Sequence, residues 1–193
     1  MGTSQAEKDR NHDRIIGIAA RKVREKGFEG VGVADLMKEV GLTHGGFYRH
    51  FGSRDDLIGE AVERALDDGA RRVADTPLTS RKSPFRRIVD RYLSTTHRDS
   101  PGNGCAVTAL SNDAWRGEPR VRAAYTRQVR LYLDLLGEMM DQKGGRATRR
   151  CSVLALSALA GAVAMARAVD DEDLSLEILR STADALKSLV EQS

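Results

Sequence analysis

The sequence predicts an all-α protein of about nine helices. Apolar residues recur at spacings of three and four along most of the 193 residues, as in helices with one buried face. No segment of any length alternates apolar and polar residues as a half-buried strand does. Glycine and proline residues separate several of the apolar stripes, as expected at helix ends. A chain of this length can bury a sizeable core.

The first predicted helix covers residues 13–26, and the glycine that follows it is a typical stop signal. Its apolar stripe consists of Ile15, Ile16, Ala19, Ala20 and Val23. A second, short helix is predicted over residues 33–40, where Gly41 then supplies the permissive backbone of a tight turn. Thr43 is the expected N-cap of a third helix that ends near residue 50.

A long fourth helix is predicted to begin at Ser53, because Ser53-Arg54-Asp55-Asp56 has nearly the form of a capping box. Pro77 must end it. Since this helix follows the third directly, no flexible linker separates the two parts of the chain. Between later breaks rich in Gly and Pro, helices are predicted over residues 85–97, 105–115, 120–142, 151–166 and 172–191.

The predicted helix over residues 151–166 holds no charged residue and consists mostly of Ala, Leu, Val and Ser. Such a composition requires burial on nearly every side. A membrane span is the alternative, but the uncharged run is shorter than the roughly 18 to 20 residues that a span needs. Packing inside a helical protein is therefore the preferred interpretation.

Composition limits the class of protein. The chain is 40% hydrophobic and 31% charged with four prolines, which is typical of a globular protein and not of a disordered one. Two cysteines are too few for a disulfide framework, so reduced thiols are expected. The net charge of +3 is too small to indicate a polyanionic partner. The polar start, residues 1–11, lacks the apolar run of a secretory signal, and a cytoplasmic location is expected.

Two short helices joined by Gly41-Leu42 have the outline of a helix-turn-helix, whose second helix enters the DNA major groove, about 12 Å wide. Paired glycines are poor helix formers but let the backbone approach DNA. Hydroxyl and imidazole groups can donate to phosphate, and an arginine can contact phosphate or a guanine edge. The candidate DNA contacts on this second helix are Thr43, His44, Gly45, Gly46, Tyr48, Arg49 and His50. Two open alternatives are a helical hairpin unrelated to DNA and, for Arg49, a solvated surface charge.

This region resembles the DNA-binding region of the TetR family almost position by position over residues 13–60. The resemblance lies in Gly27-Phe28-Glu29, Asp35-Leu36, the run Gly41-Leu42-Thr43-His44-Gly45-Gly46-Phe47-Tyr48-Arg49-His50-Phe51, and Ser53-Arg54-Asp55-Asp56-Leu57. It implies that Thr43, Tyr48 and His50 anchor phosphates and that Arg54 is a further phosphate contact. One departure is Val31-Gly32, where the family commonly has Ser or Thr to cap the second helix.

The resemblance implies a helix-turn-helix DNA-binding domain over residues 1–52 and a helical effector-binding and dimerisation domain over residues 53–193. The expected protein is a homodimeric repressor, paired through its two C-terminal helices. A small-molecule or thiol-reactive effector would release it from a palindromic operator in double-stranded DNA. No enzymatic fingerprint is present, and the four dispersed histidines lack the spacing of a metal site, so neither catalysis nor a cofactor is expected.

The candidate effector-pocket residues are the large aromatic and sulfur-containing side chains of the middle helices: Tyr92, Cys105, Trp115, Tyr125, Met139, Met140 and Met165. For any one of them ordinary core packing is the alternative. Cys105 follows a glycine at a predicted helix start, where the helix dipole lowers a thiol pKa. It is either a reactive sensor or an inert buried thiol.

Two rival functions stay open at this level. The first is a small-molecule-binding or enzymatic helical protein that has lost DNA binding, which the weak cap at Gly32 would favour. The second is an activator or architectural DNA-binding protein that senses nothing. An apolar cavity in the C-terminal part would favour a sensor, and its absence would favour the second rival.

Overall fold

The computed structural model describes residues 4–74, 83–140 and 146–191, and within these ranges the chain is helical with no strand. The α-helices are α1 (Gln5–Lys26), α2 (Val33–Glu39), α3 (Arg54–Ala74), α4 (Pro84–Tyr92), α5 (Thr95–Asp99), α6 (Ala106–Arg116), α7 (Pro119–Met140), α8 (Arg146–Ala168) and α9 (Glu172–Glu191). Two 3-10 helices, His44–Arg49 and Pro101–Asn103, lie between them. The predicted all-α fold class is confirmed.

The helix ends follow the capping signals. The two glycines expected to end α1 and to turn the chain after α2 have positive φ angles, 71° at Gly27 and 74° at Gly41. The Ser53 hydroxyl accepts a hydrogen bond from the Asp56 N–H at 3.0 Å, so α3 is capped as predicted. At Gly32 no side chain caps α2, in agreement with the weak cap expected there.

Three predicted helix boundaries are wrong, and one of them is the start of α8, which lies at Arg146 and not at residue 151. Helix α1 begins at Gln5 and not near residue 13, because Ser4 accepts a hydrogen bond from the Glu7 N–H and caps an earlier start. The single helix predicted over residues 85–97 is two helices, α4 and α5. Ser94 restarts the second by accepting a hydrogen bond from the His97 N–H at 3.2 Å.

Helix α3 connects the two ends of the molecule. It packs against α1 on one side and against α6 and α7 on the other, so the hydrophobic core runs through the junction without a break. The buried side chains at this junction include Ile15, Ala19 and Val23 of α1, and Leu57, Ala61, Val62 and Ala65 of α3. The position of the helix-turn-helix is therefore tied to the packing of the C-terminal helices.

Helices α7, α8 and α9 pack side by side in chain order. One face of α8 is buried in the core through Ala155, Leu156, Leu159, Val163 and Ala166. The opposite face leaves large apolar side chains exposed. Residues Thr148–Ala168 are long and apolar enough to cross a membrane by length and composition alone, a test that core helices of water-soluble proteins also pass.

Candidate functional site

The recognition unit, residues 33–51, consists of α2 and the 3-10 helix that follows it. The Leu42 N–H donates to the Met37 carbonyl at 2.8 Å, and the side chains of Met37 and Phe47 are both buried in the core. The third helix was predicted as a helix of ordinary type but is a 3-10 helix, since the paired glycines disfavour the longer α-helical turn. Thr43 holds the predicted N-cap position, but its hydroxyl makes no capping hydrogen bond.

The candidate DNA contacts of the recognition unit share one outward surface. Tyr48 is the most exposed large hydrophobic side chain among the described residues, with 68% of its area accessible. Its ring is held edge-on by the buried Phe47, at 5.2 Å between centroids. Exposed residues beside it are Thr43, His44, Gly45 and Arg49, whereas Gly46 and His50 are half-buried. The fold thus presents a positioned phenol and a cation together, as a phosphate-binding surface requires.

Arg54 lies at the start of α3 and is directed back onto the loop after α1. Its Nη2 donates to the Phe28 carbonyl at 2.5 Å and lies 3.8 Å from a carboxylate oxygen of Glu29. A contact with DNA phosphate would have to be made by the remaining donors of the guanidinium or after release of this carbonyl.

Two histidines, His12 and His50, form a cluster with Phe51 and Glu60 where the recognition unit meets α1 and α3. His12 of α1 forms a 2.9 Å contact with Glu60 of α3, and its ring stacks on Phe51 at 4.8 Å. The His50 ring lies 5.9 Å from that of His12. Burial, and then the charges of His12, Lys8 and Arg49, lower the pKa of His50 below its ordinary value. The sequence held no signal for this cluster, because His12 and Glu60 are 48 residues apart.

A second site, the cavity, lies among α3, α4, α5, α7 and α8 and has a volume of about 400 Å³. Its floor is apolar and is formed by Leu135, Leu136, Met139, Leu156 and Leu159. Its polar wall includes Arg72, Arg91, Ser94, His97, Asn103 and Cys105. A pocket with an apolar floor and a few polar groups is typical of a small-molecule site.

The cavity gathers only part of the predicted pocket set. Tyr92, Cys105 and Met139 line it. Trp115 and Met165 are 62% and 54% exposed and lie on the surface instead. The Tyr125 hydroxyl donates to the Val107 carbonyl at 2.8 Å away from the cavity lining, and burial raises its pKa to about 12.

Met140, next to the lining residue Met139, packs partly buried against the core and is not among the lining residues. The polar or aromatic lining residues that were not in the predicted set include Arg72, Arg91, His97 and Tyr132. Their sequence neighbourhoods carry no signal for a pocket, since each comes from a different turn of helices that are separated along the chain.

Cys105 sits on the wall within a chain of hydrogen bonds. Its N–H donates to Nε2 of His97 at 3.0 Å, and Nδ1 of His97 lies 2.7 Å from the Tyr92 carbonyl. Because Nε2 accepts, the ring proton resides on Nδ1 and is donated to that carbonyl. Burial is the main cause that lowers the pKa of His97, so the imidazole is neutral at pH 7. Burial and the nearby Cys105 raise the pKa of the Tyr92 phenol.

A buried arginine joins the cavity wall to α1. Arg24 is 6% exposed, and its Nε donates to the Gly102 carbonyl at 2.6 Å while Nη1 donates to the Ala65 carbonyl at 3.3 Å. Gly102 belongs to the 3-10 helix Pro101–Asn103, whose last residue lines the cavity together with Gly104 and Cys105. Burial and the charge of Arg72 lower the pKa of Arg24. A side chain of the N-terminal helices is thus hydrogen-bonded directly to the loop beside the cavity.

Within the part of the chain that the structure describes, no group of three or more His, Cys, Asp or Glu side chains is arranged to hold a metal ion. Both cysteines are free thiols, Cys105 buried and Cys151 half-buried.

Comparison with known proteins gives consistent results. Residues 15–61 match the family model described as bacterial regulatory proteins, tetR family. The uncharacterized HTH-type transcriptional regulator YfiR of Bacillus subtilis is 32% identical over 66 residues, which span 34% of this chain and only 32% of YfiR. Rv0196 of Mycobacterium tuberculosis, also an uncharacterized HTH-type transcriptional regulator, is 28% identical over 167 residues, covering 80% of this chain and 83% of Rv0196.

Among solved structures, a TetR transcriptional regulator from Chloroflexus aurantiacus superposes with a TM-score of 0.80 at 19% identity, covering 98% of each chain. At that identity the likeness concerns the fold, and it extends over both the recognition unit and the cavity-bearing helices.

Proposed function

The chain belongs to the TetR family of transcriptional regulators and is a DNA-binding protein and not an enzyme, and from this premise we propose that it is a homodimeric, effector-released repressor. The proposed dimer binds a palindromic operator with two recognition units and leaves it when a small molecule fills the cavity. We also propose a cytoplasmic location, because the proposed partner is chromosomal DNA. Residues 1–52 would form the DNA-binding domain and residues 53–193 the effector-binding and dimerisation domain.

The proposed DNA surface consists of Thr43, His44, Gly45, Gly46, Tyr48, Arg49, His50 and Arg54. The exposed phenol of Tyr48 and the exposed guanidinium of Arg49 support it, since both are free to face phosphate or base edges. In a two-fold dimer the two units would enter successive major grooves, about 34 to 36 Å apart.

The proposed dimer interface is the outer face of α8 together with α9. Along α8, Val153, Leu154 and Met165 are 46%, 53% and 54% exposed, and the exposed Ser157 and Ala164 lie on the same stripe. Leu174 of α9 is a further exposed apolar side chain, with 42% of its area accessible. An exposed apolar stripe interrupted by small residues suits close packing against the same stripe of a second copy.

The observation that carries the proposal is the hydrogen bond from Arg24 to the Gly102 carbonyl. It connects a DNA-binding helix with the loop that forms one wall of the cavity. A ligand that shifts this loop also shifts α1 and, through it, the spacing of the two recognition units. DNA would then bind preferentially to the state in which the two recognition units fit the operator, and the effector to the state in which they do not. Each ligand would therefore weaken the binding of the other by the same factor.

The experiment is a gel shift with the purified chain and the DNA flanking its own gene, at two salt concentrations. The expected result is a sequence-selective complex that contains two chains per site. If competitor DNA of unrelated sequence removes the shift as well as competitor DNA of the same sequence does, operator recognition is refuted. A complex with one chain per site would refute the dimer. A reporter gene behind the selected site separates a repressor, whose loss raises expression, from an activator, whose loss lowers it.

A second candidate for release is a thiol-reactive effector acting on Cys105. This residue lies on the cavity wall at the N-cap of α6, and it is near enough to Tyr92 and Tyr132 to influence the pKa of both phenols. Alkylation there would add bulk to the loop that Arg24 holds. The gel shift repeated with N-ethylmaleimide tests it. Loss of the complex in the native protein but not in Cys105→Ser supports a thiol sensor, and an unchanged complex refutes it.

A further inference from the structure

The first turns of α1 lie against the recognition unit. The His12 ring stacks on Phe51 at 4.8 Å between centroids, and it lies 5.9 Å from the His50 ring. Farther along α1, Nη2 of Arg14 donates to the Val40 carbonyl at 3.1 Å. Val40 is the C-cap of α2, and His50 is the C-cap of the 3-10 helix. The start of α1 is therefore fixed beside the residues that end both helices of the recognition unit.

Lys8 lies one turn before His12 on the same face of α1, since residues four apart in a helix are neighbours on its surface. This face continues into the core with the buried Ile15 and Ala19, so it is the face that α1 turns towards the rest of the molecule. The charge of Lys8 is also one of the causes that lower the pKa of His50, after burial and the charge of His12. Both observations place the Lys8 ammonium beside the end of the recognition unit.

The exposed Lys8 ammonium forms no ion pair within the described residues. Glu7 and Asp9 flank it in the chain, so each is turned by about 100° from it around the helix axis. Asp9 also accepts a hydrogen bond from the Gln5 side-chain amide at 2.8 Å. Lys8 thus presents its positive charge to solvent at the edge of the proposed DNA surface.

His50 and Arg49 lie next to this lysine on the recognition unit. Nδ1 of His50 is buried and has no hydrogen-bond partner among the described residues, so a contact of this ring with DNA must be made by Nε2. Arg49 is exposed, and its charge also acts on His50. A phosphate beside His50 would be within reach of two cations, one from the recognition unit and one from α1. Contacts between cations and phosphates supply much of the affinity of proteins for DNA.

We propose that Lys8 contacts a DNA phosphate, so that the DNA-binding surface extends from the recognition unit onto the first turns of α1. This inference rests on the proposed operator binding and adds a contact outside the residues proposed above for that surface. The family model matches residues 15–61 and does not include Lys8. An ammonium group binds phosphate as a point charge and reads no base edge, so the contact strengthens binding to DNA of any sequence.

The test is a fluorescence anisotropy titration of the full-length protein with two DNA duplexes over a series of salt concentrations. One duplex comes from the DNA flanking its own gene, and the other has an unrelated sequence. Lys8→Gln should lower the affinity for both duplexes by a similar factor, about tenfold per bound chain at about 0.1 M salt. The slope of log affinity against log salt should become shallower by about one per bound chain, because one fewer counterion is released. Lys8→Arg keeps the charge and should retain both values.

Arg10→Gln is the matched control. Arg10 is exposed on the same helix but lies about 200° around the axis from Lys8, on the side away from the recognition unit. The substitution removes the same charge and should leave the affinity and the salt slope close to those of the native protein. The melting temperature should be unchanged in both variants because neither side chain is buried. A loss of DNA binding in Lys8→Gln would therefore not result from unfolding.

Unchanged affinity and salt slope in Lys8→Gln overturn the inference. Equal losses in Lys8→Gln and Arg10→Gln overturn it as well, because they would show an effect of net charge alone, and so does a loss confined to one duplex. If the native protein prefers the flanking duplex but Lys8→Gln binds as the native protein does, operator recognition stands and the α1 contact falls. If the native protein binds both duplexes equally and Lys8→Gln weakens both, the α1 contact stands and operator recognition falls.

Discussion

The recognition unit and the cavity are built in opposite ways. The recognition unit comes from 19 consecutive residues, 33–51, and its contact surface is set by a local turn with Gly41 at positive φ and Phe47 buried beneath Tyr48. The cavity takes lining residues from five helices and the connecting loop between positions 69 and 159. A local unit can be recognised from its spacing, whereas a distributed one exists only after the helices pack. Arg24 of α1 joins the N-terminal helices to the 3-10 helix beside the cavity through its hydrogen bond to the Gly102 carbonyl.

The largest expected effect is the loss of the proposed dimer, which would place two recognition units on one operator. Leu154→Asp should lower dimer affinity about a thousandfold, because two uncompensated carboxylates are buried per two-fold interface. Sedimentation equilibrium measures the loss. Ser111→Asp, which adds the same charge at an exposed position of α6, is the control. Monomers in both variants, or dimers in both, would contradict an interface formed by α8.

Next in size is the loss of the phenol in the recognition unit. Tyr48→Ala should weaken operator binding about a hundredfold, since each half-site loses one contact worth about 1–3 kcal/mol. The melting temperature should change little because the ring is exposed. Trp115→Ala removes an aromatic side chain of similar exposure from α6 and should leave DNA affinity unchanged. A gel-shift titration compares the two, and equal losses would show that Tyr48 has no special role.

Arg24→Met tests the junction between the two regions. Replacing this guanidinium removes its hydrogen bonds to the Gly102 and Ala65 carbonyls and should lower the free energy of unfolding by about 2 kcal/mol. Urea unfolding measures the change. Arg21→Met, on the same helix but half exposed and paired with Glu39 at the surface, should cost less than about 1 kcal/mol. Similar costs would mean that the buried arginine does not hold the loop.

Gly45→Ala probes how closely the backbone of the recognition unit approaches DNA. A Cβ at this position meets no atom of the protein within 4 Å, so the fold should be kept or slightly stabilised. Operator affinity should fall about tenfold if the methyl group keeps a phosphate from the backbone. Gly17→Ala, equally free of neighbours but on α1, is the matched control. Full DNA affinity in Gly45→Ala would show that the backbone is not approached there.

The smallest expected effect is a pH dependence that comes from the two histidines whose pKa is lowered, His50 and His97. The pKa of both His50 and His97 is lowered in the folded protein, so the unfolded chain binds more protons near pH 6.5. Stability from both groups is present above that pH and is lost as the pH falls. Urea unfolding between pH 7.5 and 5.5 should show this decline, with a smaller slope in His97→Gln. An unchanged slope would mean that His97 titrates alike in both states.

How much of each part the sequence could predict also depends on whether that part is local in the sequence or assembled from distant residues. The limits of α9 and the stops at Gly27 and Gly41 were readable because they depend on neighbouring residues and on the backbone freedom of glycine. The 3-10 form of the third helix was not anticipated, although the glycine pair that favours it was noted. Arg72, His97 and Tyr132 were missed, since nothing near them in the chain marks a pocket.

The sequence alone determined the helical fold class and the recognition unit, because periodic burial and turn chemistry act over a few residues. Only the tertiary structure decided which aromatic and sulfur-containing side chains surround a cavity and which lie at the surface. It also decided that Arg24 would join α1 to the loop at residue 102, a contact 78 positions apart. Contacts at such separation depend on how helices pack against one another, and packing is a property of the whole chain.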